Sequence, residues 1–482
     1  MSPTLIVSII IAYFSLLILV SYLTGKKTDN DTFFLGNRQS RWYLVAIAMI
    51  GASLSGVTFV SVPGWVAKTG FTYMQMVLGY FLGYLAIAGV LLPLFYRLKV
   101  TSIYTYLEQR FGIFSYKTGA VLFMLSKTVG AAARLYLMAN VLQLTLFDAM
   151  GIPFAVTVLV TIALIWLYTF RGGVKTIIWT DALQAIVMIL SMAMTFWIIA
   201  DRMDLSLGGA IDAIAASKYT KLFEFSDWSS TQHFAKQFLS GAFITIVMTG
   251  LDQDMMQKNL TCRNLKEAKK NVYSYGFAFL PVNLMFLALG AMLYLYADHV
   301  SLTVAKADDL FPTLATGGYL PPVVGILFML GLIAAAYSSA DSALASLTTS
   351  FCIDMLRVDK MEAQKAIDAR RWVHIGFAVL LGLTILAFRV FKLDTIIDTI
   401  FNLAGYTYGP LLGMFAFGLF TRRKPWDAAV PFIAVLAPLM TGIIDANAMG
   451  WFGAPMGYEK LLLNGGLAFA MLYISSFAKP EK

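Results

Sequence analysis

The stretch IAAAYSSADSALASLTTS, Ile333 to Ser350, sets five serines, two threonines and an aspartate inside a long apolar run. At about 100° per residue, Ala335, Ser338, Ser339, Ser342, Ser346 and Thr349 share one helical stripe, with Asp341 on its flank. Two chemistries suit such a stripe. One is a seam of small residues whose hydroxyls bond back to carbonyls a turn earlier. The serines fit that reading; the aspartate fits it poorly, because a carboxylate at mid-bilayer costs roughly 2.5–3.5 kcal/mol even on the lenient insertion scale. The other is a site for a small hard cation, which favours crowded oxygen ligands. The aspartate tips the balance to a cation.

A second acid lies in YTFRGGVKTIIWTDALQ, where Asp181 sits about one and a half turns into an apolar run that begins near Thr176. It either pairs with Lys175 or Arg171 at the end of its helix or faces the serine stripe. Periodicity does not choose between them. Arg134, in GAAARLYLMAN, lies well inside another run, where an arginine is a binding candidate unless a neighbouring acid such as Asp252 takes it. Lys127, two turns earlier, is expected to snorkel to the cytoplasmic surface.

The elements that carry these residues are membrane helices. Of 482 residues, 59% are hydrophobic and 13% charged, with a mean hydropathy of +0.74. A soluble chain carries about a quarter charged residues. Apolar runs long enough to cross a bilayer recur throughout, and they predict an all-α polytopic membrane protein with about thirteen transmembrane helices. The net charge of +9 is no sign of nucleic acid, because most of the 36 Lys and Arg fall in alternate loops. Lys26, Lys27, the cluster from Lys258 to Lys270, Arg357 to Arg371 and the C-terminal tail lie on that basic side, taken as cytoplasmic. The N-terminus is then expected outside and the C-terminus inside, in the plasma membrane (the inner membrane of a bacterium). MSPTLIVSII has no basic lead or cleavage site and reads as a retained helix. Cys262 and Cys352 map to the cytoplasmic side, where a disulfide is not expected. NLKEAKKN and DKMEAQKAIDARR are expected as short surface helices, and LGGAIDAIAAS as an interfacial one.

Two spans carry signs of a break. MIGASLSGVTFVSVPG holds Gly51, Gly56, Pro63 and Gly64; five spans later, SGAFITIVMTGLDQD holds Gly241 and Gly250 before an acidic stretch. Breaks in corresponding spans mark the binding site of transporters built from inverted repeats. The chain accordingly divides into a first helix and loop (1–41), a five-helix repeat (42–200), an external loop (201–233), a second repeat (234–420) and two C-terminal helices with a short tail (421–482). Three scattered histidines and no nucleophile, base or metal cluster argue against an enzyme. No soluble signalling domain follows the last span, which argues against a sensor; a leak channel stays open as an alternative.

PLFYRLKVTSIYTYLEQRFG, YTFRGGVKTIIWTDALQ, GLDQDMMQKNLTCRNLKEAKK, AAAYSSADSALASLTTSFCIDM and YGPLLGMFAFGLFTRRKP, in this order over nearly the whole chain, resemble the signatures of the sodium:solute symporters. These carriers import sugars, proline, pantothenate or sialic acid with sodium. The resemblance implies a leucine-transporter-like core of five plus five inverted helices in a lipid bilayer, with sodium and a small solute as the bound partners and no obligate protein partner evident. It assigns the main sodium site to the carbonyls of Gly51, Leu54 and Ala335 and the hydroxyls of Ser338 and Ser339. A second sodium site maps to Asp181, Ser338, Asp341 and Ser342, and there the chain departs, since Asp341 stands where a serine is expected. Sodium, a proton or a basic partner are the three readings of that aspartate; a proton-coupled symporter is the corresponding alternative.

For the solute, Ser55 and Thr58 match positions that hold a carboxylate in the sialic acid branch, and Arg134 lies about one turn from that branch's arginine. Thr245, Met248, Asp252 and Gln253 are expected in the pocket wall around the second break, with Tyr80 adding a hydrogen bond. Sugar carriers tend to show an aromatic gate where Met248 stands, which argues against a plain hexose. The expected solute is a small polar organic one: a sugar, a sugar acid such as sialic acid, or another organic anion or zwitterion.

Overall fold

The computed structural model describes residues 3–24, 30–391 and 396–477. Lys26, Lys27 and the basic residues of the tail fall outside them. Helix dominates, as it must where no water is at hand to satisfy backbone groups. In chain order the main helices are α1 (Pro3–Thr24), α2 (Trp42–Ser53), α3 (Gly56–Thr69), α4 (Tyr73–Leu98), α5 (Ile113–Thr145), α6 (Phe154–Phe170), α7 (Gly173–Arg202) and α8 (Phe234–Gly250). They continue with α9 (Gln253–Leu260), α10 (Leu265–His299), α11 (Pro322–Leu356), α12 (Ala363–Val390), α13 (Ile400–Thr407), α14 (Gly409–Phe420), α15 (Asp427–Phe452) and α16 (Lys460–Ser475).

Seven of these are long and apolar enough to cross a membrane alone. Three bent pairs reach that length together: α2/α3 at 59°, α8/α9 at 64° and α13/α14 at 43°. The first two are the breaks expected from the glycine pattern. They fall at Leu54–Ser55 and Leu251–Asp252, while Pro63 lies inside the unbroken α3. The third bend was not expected.

Two expected surface helices are absent as separate elements. LKEAKKN opens the long α10, which Asn264 caps by accepting the Glu267 amide at 3.0 Å, so the charged stretch simply extends the apolar helix. Similarly, AQKAIDARR is the first part of α12. LGGAIDAIA does form a short helix, capped by Ser206. Between α6 and α7, Gly173 turns the chain at φ 53°, a conformation that favours glycine, and a Cβ there would meet the Phe33 backbone at 2.4 Å.

The broken pairs are held by close backbone contacts. A Cβ on Gly79 of α4 would sit 2.0 Å from the Phe238 carbonyl of α8, and one on Gly241 of α8 would sit 2.1 Å from the Met76 carbonyl of α4. The two helices therefore touch main chain to main chain, as small residues allow in membranes. Gly241→Ala is expected to force them apart and lower the thermal unfolding midpoint of the detergent-solubilised protein by several degrees. Gly376→Ala, on α12 with nothing within 4 Å of the new methyl, should leave the midpoint unchanged or raise it.

Candidate functional site

At the first break the chain leaves helical geometry at Leu54, whose φ/ψ are −83°/86°. The break is wedged against α7, since a Cβ on Gly51 would meet the Asp181 carbonyl at 2.6 Å. The Leu54 amide still bonds to Ile50, and Ser55 bonds to Ser53. The carbonyls of Gly51 and Leu54 accept no hydrogen bond among the described residues. Across from them on α11, the buried Ser339 hydroxyl reaches the carbonyls of Ala52 and Ala335 only at 3.4 Å each. Expected oxygens thus gather around the break with weak or no bonds among themselves. Ala52 joins them, a residue the sequence reading passed over.

Asp181 faces the serine stripe. It is fully buried; its Oδ1 accepts from Ser338 at 2.6 Å and its Oδ2 from Ser342 at 3.1 Å. Its basic partner is not Lys175 but Lys258, whose Nζ lies 2.9 Å from Oδ2; the side chain of Arg171 lies outside the described ones. Lys258 was expected in a cytoplasmic loop. It sits on α9, 1% exposed, because the half-helix after the second break runs inside the protein. Asp341 is also fully buried, and its Oδ2 accepts from Tyr168 of α6 at 2.9 Å while Oδ1 has no hydrogen-bond partner among the described residues. The hydroxyls of Ser346 and Thr349 bond back to carbonyls of their own helix, as in a packing seam.

A cavity of about 130 Å³ opens beside both breaks. Ser55, Thr58 and Tyr80 line it from α3 and α4, Arg134 from α5, and Thr245, Met248 and Asp252 from the second broken span. Gln253 does not. It is buried behind Asp252, accepts from the Ile103 amide at 3.0 Å and donates to the Thr101 carbonyl at 2.8 Å, so it anchors a loop instead. Lys127 does not snorkel outward. It lines the cavity at 8% exposure and pairs with Asp252 at 3.2 Å and Asp254 at 2.7 Å. Asp252 also caps α9 and takes the Tyr408 hydroxyl at 2.6 Å. Lys127 alone bridges both nearby acids, and Arg134 makes no hydrogen bond or ion pair among the described residues. Tyr84, Tyr275 and Ser53, also missed in the sequence, form a hydroxyl chain along the wall, with 2.8 Å between the tyrosines and 2.5 Å from Tyr275 to Ser53.

The sequence model of the sodium:solute symporter family matches residues 33–430. The chain belongs to this family. It is 28% identical over 447 residues to the sodium/sialic acid symporter NanT of Aliivibrio fischeri, covering 88% of this chain and 83% of that one. The sodium/sialic acid symporter SiaT of Proteus mirabilis is 26% identical over 456 residues, 89% and 88% of the two chains. Sodium-coupled monocarboxylate transporter 2 of Bos taurus is 25% identical over 429 residues, 87% and 67%. In fold, the chain matches a substrate-bound, outward-open sodium-coupled sialic acid symporter at a TM-score of 0.82, with 22% identity over 98% of both chains. Mhp1, a nucleobase-cation-symport-1 transporter, follows at 0.57 with 15% identity over 94% and 96%. The symporter is thus a multi-pass membrane carrier that brings in an organic solute with sodium.

The lysine pairs make a measurable claim. Lys127→Met leaves Asp252 and Asp254 short of a cation in a buried site, a loss of about 3–5 kcal/mol where one partner of a buried pair is removed. The yield of folded protein should fall sharply, and Lys127→Met/Asp254→Asn should recover part of it, read by size-exclusion profile and thermal midpoint.

Proposed function

We propose that the symporter carries a small organic anion whose carboxylate is held by Arg134, with sodium bound at the first break. The Arg134 guanidinium, which lines the cavity without a hydrogen bond or ion pair among the described residues, is the observation that carries this reading. A guanidinium offers a planar fork of donors suited to a carboxylate. The amide end of α3 adds partial positive charge beside Ser55 and Thr58, which line the same cavity. About 130 Å³ has room for on the order of ten water-sized positions, enough for a small solute. Relatives named for sialic acid and for monocarboxylates carry solutes with the same group.

Sodium takes the carbonyls of Gly51, Leu54 and Ala335 and the hydroxyls of Ser338 and Ser339, joining α2 to α11. Filling that site orders the break and fixes the start of α3, which in turn presents its amides to the solute. The two ligands stabilise one state jointly, because coupling between sites is reciprocal. A membrane potential drives the sodium inward with roughly 2.3 kcal/mol per charge per 100 mV. In this scheme α2 to α14 form the five-plus-five core, α1, α15 and α16 complete thirteen crossings, and the basic loops face the cytoplasm.

Two measurements test it. Sodium, unlike potassium or choline, should raise the thermal midpoint of the purified wild type, by about 2.7 kcal/mol of stability at a hundred times its dissociation constant. Ser339→Ala should lose most of that response; an equal response in the variant rejects the site. With sodium present, a panel of small carboxylates should yield a stabilising ligand. Arg134→Ala should weaken that ligand roughly ten- to hundredfold, the loss of a charge-assisted bond of about 1.5–3 kcal/mol, and leave the sodium response intact.

A further inference from the structure

We infer that Lys258 is a cation built into the protein at the position of a second sodium, so that the symporter binds a single sodium ion. The inference rests on the sodium reading of the first break. Its own ground is the place where the Lys258 ammonium ends.

Lys258 Nζ lies 2.9 Å from Asp181 Oδ2 and 2.6 Å from Ser342 Oγ, with Asp254 Oδ1 at 3.6 Å. Asp181, Ser338 and Ser342 are the oxygens that the family resemblance assigns to a second sodium, and Ser338 and Ser342 both donate to Asp181 here. The ammonium therefore stands among the ligands of that site and bonds to two of them. It carries the single positive charge that a sodium ion would bring. An ammonium differs from sodium in bringing its own N–H donors, which suits the Asp181 carboxylate and the Ser342 hydroxyl that already donates to it.

Asp341, the fourth position, supports the same conclusion from another side. The site loses a hydroxyl there, and the carboxylate that replaces it bonds to Tyr168 at 2.9 Å. Asp341 makes no ion pair with Lys258 among the described residues. A sodium ion about 4 Å from a fixed ammonium at an effective dielectric of about 20 would bind on the order of a thousandfold more weakly. The second site is filled from within, and the departure at Asp341 follows a site that no longer needs a serine.

A lysine that merely braces α9 against α7 and α11 would look similar in distance, so the test counts ions. Purified protein is titrated with radioactive sodium at equilibrium, alongside thermal midpoints as a function of sodium concentration. The wild type should bind one sodium per chain with a Hill slope near one. Lys258→Met bares Asp181, Ser338 and Ser342, and should bind a second sodium, with the slope rising toward two. Lys258→Met/Asp181→Asn removes both charges, avoids an unpaired buried carboxylate, and should return to one. Two ions on the wild type overturn the inference, and so does a folded Lys258→Met variant that still binds one. If Lys258→Met does not fold, the wild-type count together with the double variant decides: one ion on each upholds it, and two on either overturns it. No sodium binding to any variant would instead overturn the reading of the first break.

Discussion

A carbonyl or amide that leaves its helix inside a membrane finds no water, so a broken helix persists there only if something else takes up those groups. The symporter breaks two helices side by side and answers the need in two ways. At the second break the protein supplies the partners: Asp252 accepts the amides of Asp254 and Met255, and the Tyr104 hydroxyl donates to the Leu251 carbonyl at 3.0 Å. At the first break, Ser55 makes no side-chain cap and the Gly51 and Leu54 carbonyls are left without donors among the described residues. Bare carbonyls facing hydroxyls suit a cation that comes and goes. On the proposed reading, the difference between the two breaks separates the rigid part of the site from the part that answers to sodium.

The buried charges follow the same division. Asp181, Asp252 and Asp254 are each held by a lysine, and Asp181 and Asp252 also by hydroxyls. Such pairs are costly to break and of little net benefit to make, so they fix geometry more than they add stability. Against that background the guanidinium of Arg134 stands out, because it lines the cavity with no hydrogen bond or ion pair among the described residues.

Periodicity and glycine pattern sufficed for the two broken spans and for the helix of the serine stripe, because each is a local property of one segment; Ser55 and Thr58 in the cavity wall came from the family resemblance. Asp181 could be narrowed to two readings but not decided, since its partner is on another helix 77 residues away in sequence. Lys127 and Lys258 were misplaced for one physical reason. A lysine near a span end is ordinarily drawn to water, and only the acids gathered by the second break, with Asp181 from α7, hold these two inside. Gln253 was misread because a 64° bend turns the residue after Asp252 away from the cavity and toward the loop at Thr101. The Asp341–Tyr168 bond joins α11 to α6, and nothing in either segment alone announces it.

Glycine contacts also bind the broken helices to their neighbours: Gly290 of α10 lies against the Pro63 backbone of α3, and Gly276 of α10 against Tyr84 of α4. With the α4–α8 contact, these helices form one fused block, and the ammonium of Lys258 reaches from its edge to Asp181 and Ser342 on α7 and α11. A free ion in such a seam is lost to solution whenever the seam parts. A tethered ammonium cannot leave, and one turn before it on the same half-helix stands Asp254, 3.6 Å away. The half-helix thus carries a charge and its counter-charge together, like a key that keeps its own sheath, so that any parting of the two faces would expose a paired charge instead of a naked cation.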